Sequence, residues 1–377
     1  QVCDLSGTLY WSREMLHPLL KALYQRAGED AYRIPYIVQA FADPLPLLQS
    51  MLHEDDVSAN AIVQSYQSFV SSTFQKTILN KVVFQGVGLH SGLNSTVKIL
   101  PADENHGIIF KRTDVDQNNL IEANYENVSS AKLCTTLENK SNVCVSTVEH
   151  LLAALYITGI DNALIEINNS EVPIMDGSSK DFVEKITKIG LKSLKSKRKY
   201  LKVLNKYEFK ENKKFISIEP NESGLKVDFE LAYSNEIIGN QRNQINFTDK
   251  DLVNVYASRT FCLFEDVEKI KEMGLAKGGS LQNAVVVKDN EILNAEGLRN
   301  KKEFVNHKIL DLAGDFLLSG YRILGSVKCI QGGHSLSNCF LRAFFKNSSN
   351  YTTIELENSE SLKSYFKISA NKLAVNA

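Results

Sequence analysis

The spacing of apolar residues changes period several times along the chain. Alternation over Thr77-Ile78-Leu79-Asn80-Lys81-Val82-Val83-Phe84 and over Ser95-Thr96-Val97-Lys98-Ile99-Leu100 predicts strands. Gly86, Gly88 and Gly92 between them predict a tight hairpin connection, with His90 as a turn residue. This loop lacks the Lys-Ser/Thr ending of a P-loop, and no long helical pattern follows it. Val148, Leu151, Leu152 and Leu155 then fall at helical spacing, with a stop at Gly159 and a strand over residues 163–167. A second amphipathic helix is expected over residues 179–189. The basic, apolar-poor run 192–199 reads as a solvated link and a domain boundary. Beyond it, residues 200–209, 214–220, 225–231, 284–287 and 325–330 predict strands, and 351–356 an edge strand. The helical period is most sustained over residues 303–318, where Phe304, Ile309, Leu312 and Phe316 share one side. His307, Asp311 and Asp315, at i, i+4 and i+8, line one stripe of that helix.

Each half runs several strands, a helix with a His near its start, and then a strand, a weak internal duplication. The expected fold class is α+β: two similar sheet-plus-helix layered domains packed face to face, with the active site between them. The expected division is 75–199 and 200–347, with a C-terminal tail over 348–377.

Residues 1–74 have another character. They hold four of the seven prolines and a net charge of −4, against +3 for the rest. Helices are expected over residues 11–26 and 61–69, making a helical N-terminal appendage or fusion segment. The start at Gln1 without Met implies that an upstream piece is missing or was removed. Over the whole chain, 377 residues with 43% apolar and 23% charged describe a soluble protein of two or three domains. A net charge of −1 gives no sign of a nucleic-acid binder. No apolar run is long enough to span a bilayer, and no secretory signal pattern opens the chain. Six scattered cysteines with no C-x-x-C suit reduced, buried thiols in a cytoplasm.

Three short patterns could carry chemistry. His307 and Asp311, one turn apart, can both reach one cation, and imidazole with carboxylate suits zinc. Taken alone, an unmetallated surface pair is the commoner outcome of that spacing. Glu149 precedes His150, an arrangement recurrent in zinc hydrolases, where the Glu acts as base and stays off the metal. Ser146 and Glu149 also have the spacing of a capping box, which needs no catalysis. Gly332-Gly333 before His334 suggests tight backbone leading to a placed imidazole, or simply a turn.

In order along residues 75–345, several longer motifs resemble the UDP-3-O-acyl-N-acetylglucosamine deacetylase family, zinc enzymes of bacterial lipid A synthesis. They are Gly86-Val87-Gly88-Leu89-His90-Ser91-Gly92, Leu133-Cys134-Thr135-Thr136, Val145-Ser146-Thr147-Val148-Glu149-His150-Leu151-Leu152 and Val172-Pro173-Ile174-Met175-Asp176-Gly177-Ser178. Ser258-Arg259-Thr260-Phe261, His307-Lys308-Ile309-Leu310-Asp311 with Gly314-Asp315, and Gly333-His334-Ser335-Leu336 complete the set. Residues 1–74 lie outside the resemblance.

The resemblance implies that His150, His307 and Asp311 hold Zn2+, leaving a fourth position open. Glu149 would be the general base, Thr260 would stabilise the oxyanion, and His334, protonated and paired with Asp315, would assist the oxyanion or leaving amine. Lys308 would face outward from the metal stripe toward substrate phosphate, and Phe261 and Cys134 would contact substrate. A strand–helix–strand insert at about 261–287 would form the slot for the acyl chain, with Phe261, Leu263, Phe264, Ile270, Met273 and Leu275 as lining. Lys277, where an apolar or small residue is expected, would sit at its rim. The implied partner is an acylated UDP-sugar met by a cytoplasmic monomer, with no nucleic acid, no integral membrane segment and transient contact with a membrane surface. Two other readings stand beside this one. One is a non-catalytic α+β protein binding a nucleotide sugar or structural metal; the other is a zinc amidase for a different acetylated sugar. Glu149, Thr260 and His334 separate the enzyme from the binding module, which has no use for an acid–base pair.

Overall fold

Strand alternation in the first half builds a five-stranded sheet. The computed structural model describes residues 73–355, except 223, 250 and 251; the expected N-terminal helices and the end of the tail lie outside this range. Val82–Val87 pairs antiparallel with Asn94–Pro101, the hairpin expected around the glycine loop. Asn94–Pro101 pairs with Ala163–Ile167, which runs parallel to Ile108–Arg112, and Leu120–Glu122 closes the far edge. Alternate residues such as Val97, Ile99, Ile165 and Ile167 are buried, as a one-sided sheet requires. Helix α1 (Glu149–Thr158) is buried over its first eight residues, and α2 (Lys180–Ile189) buries Phe182, Val183 and Ile186. The Phe182 ring meets Phe84 of the sheet edge-on at 4.8 Å.

The second half centres on the long strand Arg322–Ile330 of a seven-stranded sheet. Lys214–Pro220 runs antiparallel to it; Lys199–Val203 and Leu225–Ala232 run parallel. Short α3 (Val253–Tyr256) precedes a separate unit: Phe261–Leu263, α4 (Phe264–Glu272) and Val285–Lys288, the two strands parallel. This is the strand–helix–strand insert expected there. Helix α5 (Glu303–Leu317) packs on Leu225–Ala232 and Asn240–Asn246, and α6 (His334–Phe345) packs on Tyr207–Glu211 and Lys214–Pro220. Tyr351–Glu355 is an edge strand, as its sequence implies.

The two mixed regions meet chiefly where α1 packs on α5. Gly314 makes that approach possible, since a Cβ there would lie 2.1 Å from the Glu149 carbonyl oxygen. The backbone of α5 therefore lies against the first turn of α1.

One local expectation fails, and one strand goes unpredicted, for the same reason. The basic run is not a link: Leu191–Lys197 is a strand paired with Phe74–Ile78, and Arg198 is buried with its guanidinium 2.6 Å from Asp161. Backbone pairing needs no apolar side chains, so a polar strand leaves a weak pattern. Asn240–Asn246, equally polar, escaped notice in the same way. Helix α6 was also missed, although Leu336, Phe340, Leu341 and Phe344 recur at helical spacing and are buried.

Candidate active site

The chain enters α1 through a strained turn. Thr147 is buried with φ at 56°, a conformation that β-branched residues rarely adopt. Its hydroxyl donates to Glu171 at 2.8 Å, and Glu171 also accepts the backbone N–H groups of His90 and Ser91. The helix then starts at Glu149 with no side-chain cap. The expected capping box does not form: Ser146 donates to the Ser170 carbonyl, while Glu149 Oε2 accepts the Thr135 N–H at 3.1 Å. Burial pushes the Glu149 carboxyl up; His334 and His150 oppose that push and Asp311 reinforces it.

His150 on α1 and His307 and Asp311 on α5 are all buried, with their potential ligand atoms within 4.8 Å of one another. Nε2 of His307 lies 3.3 Å, and Nε2 of His150 3.5 Å, from Asp311 Oδ1. His307 Nδ1 is 3.0 Å from the Ser258 carbonyl, which can only accept, so Nδ1 carries the proton and the Nε2 lone pair is free. Burial lowers His307 to about 3, against the pull of Asp311, and keeps it neutral as ligation demands. Burial opposes the charge on Asp311, yet its neighbours, the Lys308 ammonium at 2.9 Å among them, hold its carboxyl well below the usual range. Nδ1 of His150 and Oδ1 of Asp311 are buried without a hydrogen-bond partner among the described residues. Such orphaned atoms are costly unless something meets them. Two imidazoles and a carboxylate, tightly grouped and partly unsatisfied, fit a catalytic zinc ion.

His334 opens α6 beside this cluster. Its Nδ1 is 2.9 Å from Asp315 Oδ2, and its Nε2 lies 3.6 Å from Glu149 Oε1 and 3.9 Å from Asp311 Oδ2. Burial opposes its charge, but the Asp315 and Glu149 carboxylates outweigh burial and raise it to about 10. Thr135, to which no separate role was assigned, ties both carboxylates down: its N–H reaches Glu149 and its hydroxyl donates to Asp315 at 2.7 Å. Only its place in the 133–136 motif could have drawn attention to it.

A cavity of about 700 Å³ is lined in part by Lys132, Thr260, Phe261, Lys308 and His334. The Thr260 N–H donates to the Gly177 carbonyl at 2.7 Å. Position 177 requires glycine, with φ at 85° and the Asn283 carbonyl oxygen 2.1 Å from where a Cβ would be. Phe261 is braced edge-on by Phe304 at 4.9 Å. Lys308 lines the cavity but does not turn away from the stripe. Its Nζ donates to Asp311 Oδ2 at 2.9 Å, because i,i+3 residues are neighbours on a helix. Its ammonium also sits 5.5 Å from the Phe261 ring centroid. Cys134 is not in the lining; it is buried, and burial with the nearby Glu149 pushes its thiol up to about 12. From the insert, Leu263 and Ile270 reach the cavity, whereas Phe264, Met273 and Leu275 do not. Phe264 and Met273 are exposed, the former under the Lys288 ammonium. Lys277 is exposed and outside the lining, with its N–H bonded to the His90 carbonyl. Lys214 and Tyr233 line the cavity without having been foreseen.

A family model described as UDP-3-O-acyl N-acetylglycosamine deacetylase matches residues 75–346. A second, described as WASH complex subunit 7, matches residues 8–86, well under half of the chain. The chain is 42% identical over 302 residues to the UDP-3-O-acyl-N-acetylglucosamine deacetylase of Geotalea uraniireducens (strain Rf4), covering 80% of this chain and 98% of that protein. The enzyme of the same name from Citrifermentans bemidjiense is 42% identical over 283 residues, 75% of this chain and 92% of the relative. That of Haemophilus ducreyi is 37% identical over 297 residues, 78% and 97% respectively.

Proposed function

We infer that this chain, which belongs to the UDP-3-O-acyl-N-acetylglucosamine deacetylase family, hydrolyses the N-acetyl group of UDP-3-O-acyl-N-acetylglucosamine. The products are UDP-3-O-acyl-glucosamine and acetate, a committed step of lipid A biosynthesis, and the cofactor is zinc. The observation that carries this reading is the buried His150, His307 and Asp311 cluster in a chain that matches the family over residues 75–346.

His150, His307 and Asp311 would hold the zinc ion. Bound there, zinc supplies Lewis acidity, polarising a carbonyl and acidifying water. Glu149, its proton affinity raised by burial, accepts the proton of the water that attacks the acetyl carbon. Thr260, on the cavity wall, donates to the developing oxyanion, a contact typically worth about 3 kcal/mol. His334, kept protonated by Asp315, adds to that stabilisation and donates its proton to the amine as the C–N bond breaks. Lys308 supplies positive charge at the cavity for a substrate phosphate, and Phe261, Leu263 and Ile270 give the acyl chain an apolar wall. Cys134 backs the Glu149 region and does not enter this account as a substrate contact.

The same reading divides the enzyme into domains 75–199 and 200–347, similar layers facing each other across the site. Contributions from α1 on one side and α5 and α6 on the other support it. The insert 261–287 serves the acyl chain, and residues 1–74 form a segment of separate origin. The reading takes the enzyme as a cytoplasmic monomer that touches a membrane surface to meet its acylated substrate. Among the described residues no helix is long and apolar enough to cross a membrane.

Metal analysis combined with acetate release from the acylated UDP-sugar, and from its non-acylated analogue, tests this. Bound zinc and strong preference for the acylated compound are expected. Full activity in a zinc-free preparation would refute the mechanism.

A further inference from the structure

Arg259 belongs to neither the cavity wall nor the metal cluster, yet among the described residues it is the largest of the fully buried side chains. Its partner Glu303, the first residue of α5, is 0% exposed. Glu303 Oε1 accepts Arg259 Nε at 2.8 Å and the Arg259 backbone N–H at 3.1 Å. Glu303 Oε2 accepts Arg259 Nη2 at 3.3 Å and the Arg299 N–H at 2.6 Å. Arg259 also donates to Glu296 and to the Gly297 carbonyl. A carboxylate suits a helix N-terminus, so the pair fastens the 257–260 loop to the start of α5.

One turn along α5 stands His307, whose Nδ1 donates to the carbonyl of Ser258, the residue before Arg259. Loop and helix are thus joined twice, 259 to 303 and 258 to 307, in one small ring. The flanks are held as well. Arg299 donates to the Ala257 carbonyl at 2.9 Å, the Thr260 N–H reaches Gly177, and the Thr260 carbonyl accepts the Val285 N–H at 2.8 Å. A buried ion pair contributes little net stability, because desolvation offsets its attraction; what it provides well is geometry.

We propose that Arg259, acting through Glu303, is a positioning residue for the metal centre. It sets the Ser258 carbonyl against His307, which fixes that imidazole's tautomer and the direction of Nε2, and it delivers Thr260 to the cavity wall. This rests on the reading of His150, His307 and Asp311 as a metal site. Partners of this outer kind typically change metal affinity about 10–100-fold when lost.

The test compares zinc affinity, by chelator competition, and the His307 imidazole 15N signals in wild type, Arg259→Lys and Glu303→Gln. Lysine keeps the charge without the fork; glutamine keeps the shape without the charge. A fourth protein, Arg198→Lys, removes the guanidinium fork from the buried pair with Asp161 beyond the C-terminal end of α1 and controls for general loosening. The expected result is zinc affinity about 10–100-fold weaker in both loop variants, with altered His307 signals and neither change in the control. Folded loop variants with wild-type affinity and signals would overturn the proposal, as would equal zinc loss in the control. If neither loop variant folds, Arg259 serves the fold alone and the proposal fails. Wild-type protein that binds no zinc would instead refute the metal site itself, and this inference with it.

Discussion

Helices α1 and α5 lie against each other, and each brings one histidine to the cluster, but they present it by different means. Helix α5 uses periodicity: His307, Asp311 and Asp315 follow one stripe through its buried middle. Helix α1 uses its first two residues, Glu149 and His150, which successive positions in a helix would point about 100° apart. What aims them comes from outside the helix: the strained Thr147, its anchor Glu171, and the Thr135 N–H on Glu149. A site on a helix face is written into the local spacing, whereas a site at a helix entrance depends on residues far away in sequence.

Removing one histidine breaks the comparison most completely. His307→Ala is expected to lose bound zinc and all measurable deacetylation, as metal analysis and acetate release would record. Glu149→Gln acts at the entrance instead. It should keep zinc while turnover falls about 10²–10⁴-fold, and a variant retaining most of its turnover would remove Glu149 from the base role. Gly314→Ala probes the contact between the helices. A Cβ aimed at the Glu149 carbonyl, with the Ala153 nitrogen also 3.2 Å away, should cost about 1–3 kcal/mol in thermal or denaturant unfolding. It should weaken zinc binding too, because the first turn of α1 must retreat.

The mildest expected effect is at the far end of the stripe. Asp315→Asn should leave zinc bound, since Asp315 serves His334 and stands outside the ligand cluster. Without that carboxylate the protonated form of His334 is less favoured. The alkaline limb of the pH–rate profile should therefore move to lower pH, by about 1–3 pH units for the loss of an adjacent charge. From a starting value of about 10, a fall of about one or two units leaves most of His334 protonated at neutral pH and activity there little changed, whereas a fall of about three leaves about half. An unmoved alkaline limb would separate Asp315 from the proton on His334.

Much of this was readable along the chain, for identifiable reasons. The stripe on α5 follows from a sustained helical period; its division, with Asp315 apart from the ligands, came only with the family resemblance. The hairpin at the glycine loop follows from turn chemistry, whereas the strand–helix–strand insert was implied by the family resemblance. The capping box failed because Ser146 and Glu149 each found partners from other segments, Ser170 and Thr135. Lys308 lines the cavity, as a phosphate contact would need, but its ammonium also meets a carboxylate one turn away, a pairing that the outward-facing expectation leaves out. Cys134 sits one residue beyond the cavity-lining run that ends at Leu133, a difference of direction that spacing in a loop does not specify.

Local period and residue chemistry determined which segments become helices and which groups share a face, because both follow from the geometry of a few consecutive residues. Tertiary packing alone decided that residue 150 meets residue 307, through a glycine that lets two helix backbones nearly touch. Packing also decided proton states. His307 and His334 are the same side chain, both buried, yet one is pushed down to about 3 and the other raised to about 10. For His307 burial dominates, whereas His334 has Asp315 and Glu149 against its ring. That difference is made by the charges the fold assembles around each imidazole.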